Sequence, residues 1–183
     1  VINNTGGAGV GFSANNLVAA DNTAISGTGG NAEGGYGVYI AQNASMVGTN
    51  LTASGYVGFS SRTIVVNGGK GTVDGIASAL DVKTGAITFE GGADYIAVAI
   101  GDKSIGFAIP VSLTIKDEGT RLQVTGVYRG VHAQNKPIVV RNKAVLEGIA
   151  TATTQQGAAS IGIFSGGLQV SGGATVTGRG THT

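Results

Sequence analysis

The stretch Leu51-Thr-Ala-Ser-Gly-Tyr-Val-Gly-Phe-Ser-Ser-Arg-Thr-Ile-Val-Val-Asn-Gly-Gly-Lys-Gly-Thr-Val-Asp-Gly75 carries one pattern twice, twenty residues apart. It opens on Leu51-Thr-Ala53-Ser-Gly55 and closes on Gly71-Thr-Val73-Asp-Gly75, both of the form x-x-apolar-x-Gly. The third residue is apolar and the fourth polar, the alternation of a strand with one face in a core and the other in water. A bulky residue, Tyr56, follows the first copy, and the apolar run Ile64-Val-Val66 precedes an Asn-Gly-Gly turn. Each unit therefore holds about three short strands separated by Gly or Asn turns. A unit this small cannot bury its apolar face alone. Stacked in parallel at about 4.8 Å per coil, the units form ladders around one continuous core.

The pattern extends outward in both directions. Further copies are Thr23-Ala-Ile25-Ser-Gly27, Leu122-Gln-Val124-Thr-Gly126, Ala144-Val-Leu146-Glu-Gly148, Leu168-Gln-Val170-Ser-Gly172 and Ala174-Thr-Val176-Thr-Gly178, with degenerate ones at Gly91-Gly-Ala93-Asp-Tyr95 and Asn31-Ala-Glu-Gly-Gly35. Their third positions are expected inside. Their fourth positions, Ser26, Ser54, Asp74, Asp94, Thr125, Glu147, Ser171 and Thr177, are expected outside. A second set of apolar runs lies between them: Ile64-Val-Val66, Ile87-Thr-Phe89, Leu113-Thr-Ile115, Ile138-Val-Val140 and Ile161-Gly-Ile163. Tyr36, Tyr56, Ile76 and Ile96 follow at steps of 20, then Val127 and Ile149 at 31 and 22. In the strand they open, Tyr36, Val38 and Ile40 compete with Val57 and Phe59 for the interior. The 31-residue step contains Pro110 and points to a longer coil or a loop insertion over 101–120. The expectation is an all-β, right-handed parallel β-helix, one segment over 1–183 with about seven to eight coils of 20–31 residues.

Composition excludes the alternatives. Charged residues make up 11% and Gly 34 of 183, half the usual charge and more than twice the usual glycine. A hydrophobic share of 42% is too high for a disordered chain, and two prolines without a Gly-X-Y period exclude collagen. A net charge of +1 makes no whole-chain case for nucleic acid or a membrane surface. No run approaches the roughly 18 apolar residues of a membrane span. The start, Val-Ile-Asn-Asn-Thr-Gly-Gly, lacks the features of a signal peptide and reads as a cut in a longer protein. Zero cysteine excludes disulfides and thiolate chemistry.

At Gly35-Tyr-Gly-Val-Tyr-Ile40 through Leu51-Thr-Ala-Ser-Gly55, and at Gly167-Leu-Gln-Val-Ser-Gly-Gly-Ala-Thr-Val-Thr-Gly178, the chain resembles the passenger β-helix of Gram-negative autotransporters, the pertactin-like group in particular. The resemblance spans nearly the whole chain as a style of Gly-punctuated short strands. It implies a passenger secreted through its parent's outer-membrane β-barrel and displayed at the bacterial surface as an adhesin or serum-resistance factor. Absence of cysteine fits passage in an unfolded state. The family's Arg-Gly-Asp tripeptide is missing, Arg129-Gly-Val and Arg179-Gly-Thr being the nearest strings, and so is a Gly-Asp-Ser-Gly protease motif.

Two clusters carry candidate chemistry. Asp74 and Asp94 are 20 residues apart and expected on adjacent rungs about 5 Å apart, where two carboxylates can share a proton, hold a cation or cleave a polysaccharide. The competing reading is a solvated pair near Lys70, Arg62 or Lys83. Residues 119–146 hold Arg121, Arg129, Lys136, Arg141 and Lys143 with His132 and no acid, flanked by Glu118 and Glu147. Such a stretch lines a stripe that attracts acidic glycans, or serves as a solubilising surface that blocks edge pairing.

Tyr36 with Tyr56, and Tyr39 with Phe59, are expected as ladders continued by Ile76 and Ile96 and by Ala79 and Ala99, in the core or stacking on sugars. Gly68-Gly-Lys-Gly71-Thr-Val-Asp74 is similar to a calcium-binding nonapeptide, but Val73 takes the aspartate position. Gly6-Gly-Ala-Gly9-Val-Gly11 has no helix after it to cradle a phosphate. His132 and His182 are too few for a multi-histidine metal site, and strings such as Thr175-Val-Thr177 make no ice-binding ladder. No catalytic residue, metal or cofactor is assigned. The function expected is a non-catalytic adhesin or virulence scaffold that binds a host surface or serum protein or an acidic glycan, with no nucleic acid partner and no membrane insertion of this segment. The alternatives are a polysaccharide-active β-helix enzyme, its sugar-binding companion, or a structural stalk.

Overall fold

Alternating apolar residues stack coil on coil in the computed structural model, which describes residues 2–3, 8–21, 23–152 and 160–181. It is all-β, and every strand pairing among the described residues is parallel. The coil has three faces. Face A is built from Ala24–Thr28, the first halves of Asn50–Ser61 and Lys70–Val82, Asp94–Ala99, Arg121–Gly126, Val145–Ala150 and Thr175–Gly180. Face B follows with Val10–Ala14, Tyr36–Ile40, the second halves of those two long strands, Ile105–Ala108, and the first halves of Arg129–Arg141 and Ile161–Val170. Face C closes the coil with Leu17–Ala19, Asn43–Val47, Thr63–Asn67, Ala86–Glu90, Ser112–Lys116 and the remaining halves.

Three sets of inward side chains make the core. On face C, Ala44, Ile64, Ile87, Leu113 and Ile138 lie in one row, and Met46, Val66, Phe89, Ile115 and Val140 in the next, all essentially buried. On face B the open parity resolves in favour of Val38, Phe59, Leu80, Phe107 and Val131, leaving Tyr36 and Tyr39 outside. On face A the row Ile25, Leu51, Gly71, Tyr95, Leu122, Leu146 contains a compensating pair. A Cβ on Gly71 would collide with the Tyr95 ring, and the buried Tyr95 hydroxyl reaches across to donate to the Thr49 carbonyl at 3.3 Å.

The strict 20-residue step does not hold. Residues stacked along face A, from Ile25 through Leu51, Gly71, Tyr95, Leu122 and Leu146 to Val176, give coils of 26, 20, 24, 27, 24 and 30 residues. Corners differ in length from coil to coil, so a landmark's spacing is not preserved. Ile25, Leu146 and Val176 accordingly stack with Leu51 and Leu122, two residues away from the alignment the motif suggests. A slip of two leaves inside and outside unchanged, which is why the buried-then-solvated rule survives on face A. The tyrosine ladders do not: Tyr36 stacks on Val57, Tyr39 on Ser60, Phe59 on Val38 and Leu80, and Ile96 between Thr72 and Gln123. Leu168-Gln-Val170 belongs to face C rather than with the face A copies, and Ile161-Gly-Ile163 to face B rather than with the face C runs. Residues 101–120 carry Ile105–Ala108 and Ser112–Lys116 in ordinary register, so the extra length of that coil lies in its corners.

Two corners have distinct chemistry. Where face A passes into face B, one row holds Gly11, Gly37, Gly58, Ala79, Gly106, Gly130 and Gly162, opposite the strand ends of face A. A Cβ on Gly130 would lie 2.5 Å from the Ile149 nitrogen and one on Gly58 2.7 Å from the Asp74 oxygen, closer than side chains approach backbone. Where face C returns to face A, the chain turns through left-handed residues, Gly68-Gly69 in one coil and Asn142-Lys143 in another, the latter at φ 57° and 61°. Lys143 holds there a conformation that costs an L-residue about 1–2 kcal/mol.

Gly130→Ala is expected to lower stability by about 1–3 kcal/mol through overpacking, and Lys143→Gly to raise it by up to about 1 kcal/mol through relief of left-handed strain. Urea titrations of the two variants check both signs.

Candidate functional site

Gly126 ends a face A strand, and the corner that follows is tied down by Ser104, whose Oγ accepts from the Val127 nitrogen at 3.1 Å and whose carbonyl accepts from Tyr128 at 3.0 Å. The close crossing at Gly130 then forces the chain straight onto face B, with Arg129 pointing out. Its guanidinium lies between two aromatic rings, 4.7 Å from the centre of Tyr128 and 4.8 Å from that of Phe164 on the next coil. Cation–π contacts of this kind are worth about 0.5–2 kcal/mol each. One terminal nitrogen donates to the Tyr128 hydroxyl at 3.2 Å, and the other faces the His132 ring nitrogens at 2.7 and 2.8 Å. His132 itself stacks edge-on against Phe164, with ring centres 5.5 Å apart.

The electrostatics follow from this packing. An arginine N–H only donates, so the imidazole nitrogen that takes the bond must be unprotonated. Burial, and after it the Arg129 charge, hold His132 below its ordinary value. Among the described residues no carboxylate lies within 4.0 Å of Arg129, although Lys83, Lys116, Arg121, Lys143 and Arg179 each have one. The Arg129 Nε is buried without a partner. The cluster is therefore a half-buried cation, oriented by aromatic rings and lacking a counter-charge.

The other basic residues lie elsewhere on the coil. Arg121, Arg141 and Lys143 group around the corner between faces C and A, interleaved with acids: Arg121 is 3.7 Å from Glu147, Lys143 is 2.9 Å from Glu118, and Arg141 stacks on Lys116, which is paired with Glu90 at 2.6 Å. Lys136 sits alone in the bulge between Ala133 and Pro137 where face B turns into face C. The stretch thus forms no single stripe, because consecutive strands of a coil point in three directions. His182 lies outside the described residues, as do Gly6 and Gly7 of the glycine-rich start.

The expected carboxylate pair is overturned by register. Asp74 stacks between Ser54 and Val98, whereas Asp94 stacks between Lys70 and Arg121, four residues along the same face from where a 20-residue coil would put it. Asp74 lines a shallow cleft of about 330 Å³ with Asn31, Ser54, Ile76 and Ile100, and burial raises its pKa above the ordinary carboxylate value. Among the described residues no group of three or more His, Cys, Asp or Glu is placed to hold a metal. Gly68 to Asp74 runs from a corner into a strand.

Phe164 is the site residue that sequence reasoning did not single out. Its place beside Arg129 depends on the coil length between them, and only the adjacency of Tyr128 and Arg129 was visible in the chain. Comparison with protein-family models, curated proteins and solved structures finds no match to this chain.

A histidine whose folded-state pKa is lowered takes up a proton on unfolding, so its contribution to stability rises with pH between the lowered value and 6.5 and is lost on acidification below 6.5. The melting temperature is expected to fall between pH 7 and 5, and His132→Gln to flatten that slope. A differential scanning calorimetry series in pH checks the difference between the two proteins.

Proposed function

We propose that this chain is a non-catalytic scaffold, a stiff β-solenoid segment of a secreted or bacterial surface protein, that presents a binding site for an acidic glycan. The observation that carries the reading is Arg129: a guanidinium held between Tyr128 and Phe164, facing outward, with no carboxylate within reach among the described residues. Fixing the cation in advance lowers the ordering cost of binding, and partial burial weakens the screening by salt. A carboxylate or sulfate supplies the missing charge, and an arginine can meet either through paired donors. The resemblance to autotransporter passengers supports surface display by a parent protein with an outer-membrane β-barrel, in the role of adhesin or virulence factor. Within that role the Arg129 and His132 cluster is the contact region, and Arg121, Lys136, Arg141 and Lys143 contribute a more diffuse positive field.

The test is binding of the purified protein to immobilised heparin-type and carboxylated glycans, beside extracellular matrix and serum proteins, at low and physiological salt. Arg129→Ser is expected to weaken acidic glycan binding by about tenfold or more, a loss of roughly 1.4 kcal/mol, while the triple change Arg121→Ser, Lys136→Ser and Arg141→Ser mainly alters the salt dependence. Equal binding by the wild type and Arg129→Ser overturns the reading, as does wild-type binding to proteins alone.

A further inference from the structure

The chain has ten aromatic residues, five Tyr and five Phe, and they divide cleanly. Phe12, Phe59, Phe89, Tyr95 and Phe107 belong to the core. The other five, Tyr36, Tyr39, Tyr56, Tyr128 and Phe164, all lie on face B or on the corner that leads into it. Faces A and C carry none outward. Tyr36 and Tyr39 form a second cluster with ring centres 5.0 Å apart, both rings half-buried and outside the core.

Register connects the two clusters. From Tyr36 one row of face B runs through the buried Val57 and the half-buried Ser78 and Ile105 to Arg129. From Tyr39 the neighbouring row runs through the buried Ser60 and the half-buried Asp81 and Ala108 to His132. The clusters are four rung steps apart, about 19 Å along the coil axis. Between them none of the intervening side chains is aromatic, and the one charged residue, Asp81, is ion-paired with Lys83. Face B thus has an aromatic wall at each end and an unpaired cation at one of them.

We infer that face B is a trough for a linear acidic polysaccharide lying along the solenoid axis, with an acid group on Arg129 and a sugar ring against Tyr36 and Tyr39. This rests on the reading of Arg129 given above and adds the ligand's shape, direction and length. Aromatic faces take up the apolar side of a sugar ring, and the ring quadrupole of Tyr128 and Phe164 is already engaged by the arginine, leaving Tyr36 and Tyr39 as the free stacking platform. A chain must span about 19 Å to reach both clusters.

The experiment is calorimetric titration at physiological salt with size-graded heparin oligosaccharides, from disaccharide to decasaccharide. Affinity is expected to climb until the chain is long enough to reach both clusters and then level off. Tyr39→Ala and, separately, Tyr36→Ala are expected to cost the long oligosaccharides about fivefold or more and to leave the disaccharide unchanged, whereas Arg129→Ser weakens every length. Two independent tyrosine variants, each with an unchanged melting temperature, guard against a folding defect in one. If the wild type binds but neither tyrosine change affects the longer chains, the trough is overturned and the Arg129 site stands alone. If the wild type binds no oligosaccharide of any length, the underlying reading fails and the trough with it.

Discussion

Parallel backbone hydrogen bonding between successive coils is the constraint on which the rest of this molecule depends. Each strand takes its register from the coil before it and passes it to the coil after, so inward rows remain inward from Ile25 to Leu146 on face A and from Ala44 to Ile138 on face C. Sequence change is absorbed where no rung bonds are at stake. Corners lengthen and shorten, which is how coils of 20 and 27 residues coexist in one stack. The same constraint explains the corner glycines, since two strands that cross while both remain in register have no room for side chains between them.

Packing within the rows is matched residue by residue. Gly71 and Tyr95 are neighbours because a large ring needs a vacant position beside it, and the ring's buried hydroxyl finds a partner in the Thr49 carbonyl. Burial raises the Tyr95 pKa, which keeps the hydroxyl a neutral donor. At the far end, Leu168 and Val170 continue the face C rows yet are about half exposed, because no described coil lies beyond them. They show by contrast what stacking does for Ile138 and Val140, which have a coil on both sides and no exposure.

The proposed site is a consequence of the same geometry. Arg129 is outward because Gly130 must cross the corner, and Phe164 reaches it because the next coil places that residue one rung from His132, Arg129's own neighbour. A cation in this position is partly desolvated by rings rather than paired with a carboxylate, and burial followed by the Arg129 charge holds the His132 pKa below its ordinary value. Of the remaining cations of the stretch, distributed over two corners, Arg121 is paired with Glu147 and Lys143 with Glu118. The basic residues therefore form one organised cluster and a dispersed remainder, rather than a continuous stripe.

Sequence by itself determined the class of fold, the parity of faces A and C, and the polar character of positions such as Ser54, Glu147 and Thr177. The reason is local: alternation has a period of two, and glycine marks a turn or close crossing whatever lies in the neighbouring coil. Register between coils was decided only by the tertiary structure, because corners of unequal length erase any fixed spacing. That is why Asp74 and Asp94, twenty residues apart, do not meet, while Arg129 and Phe164, separated by a longer coil, do. The core was legible because burial depends on parity, which a two-residue slip preserves. The site was not, because it depends on which residue stands one rung away, and that follows from the whole length of the intervening coil.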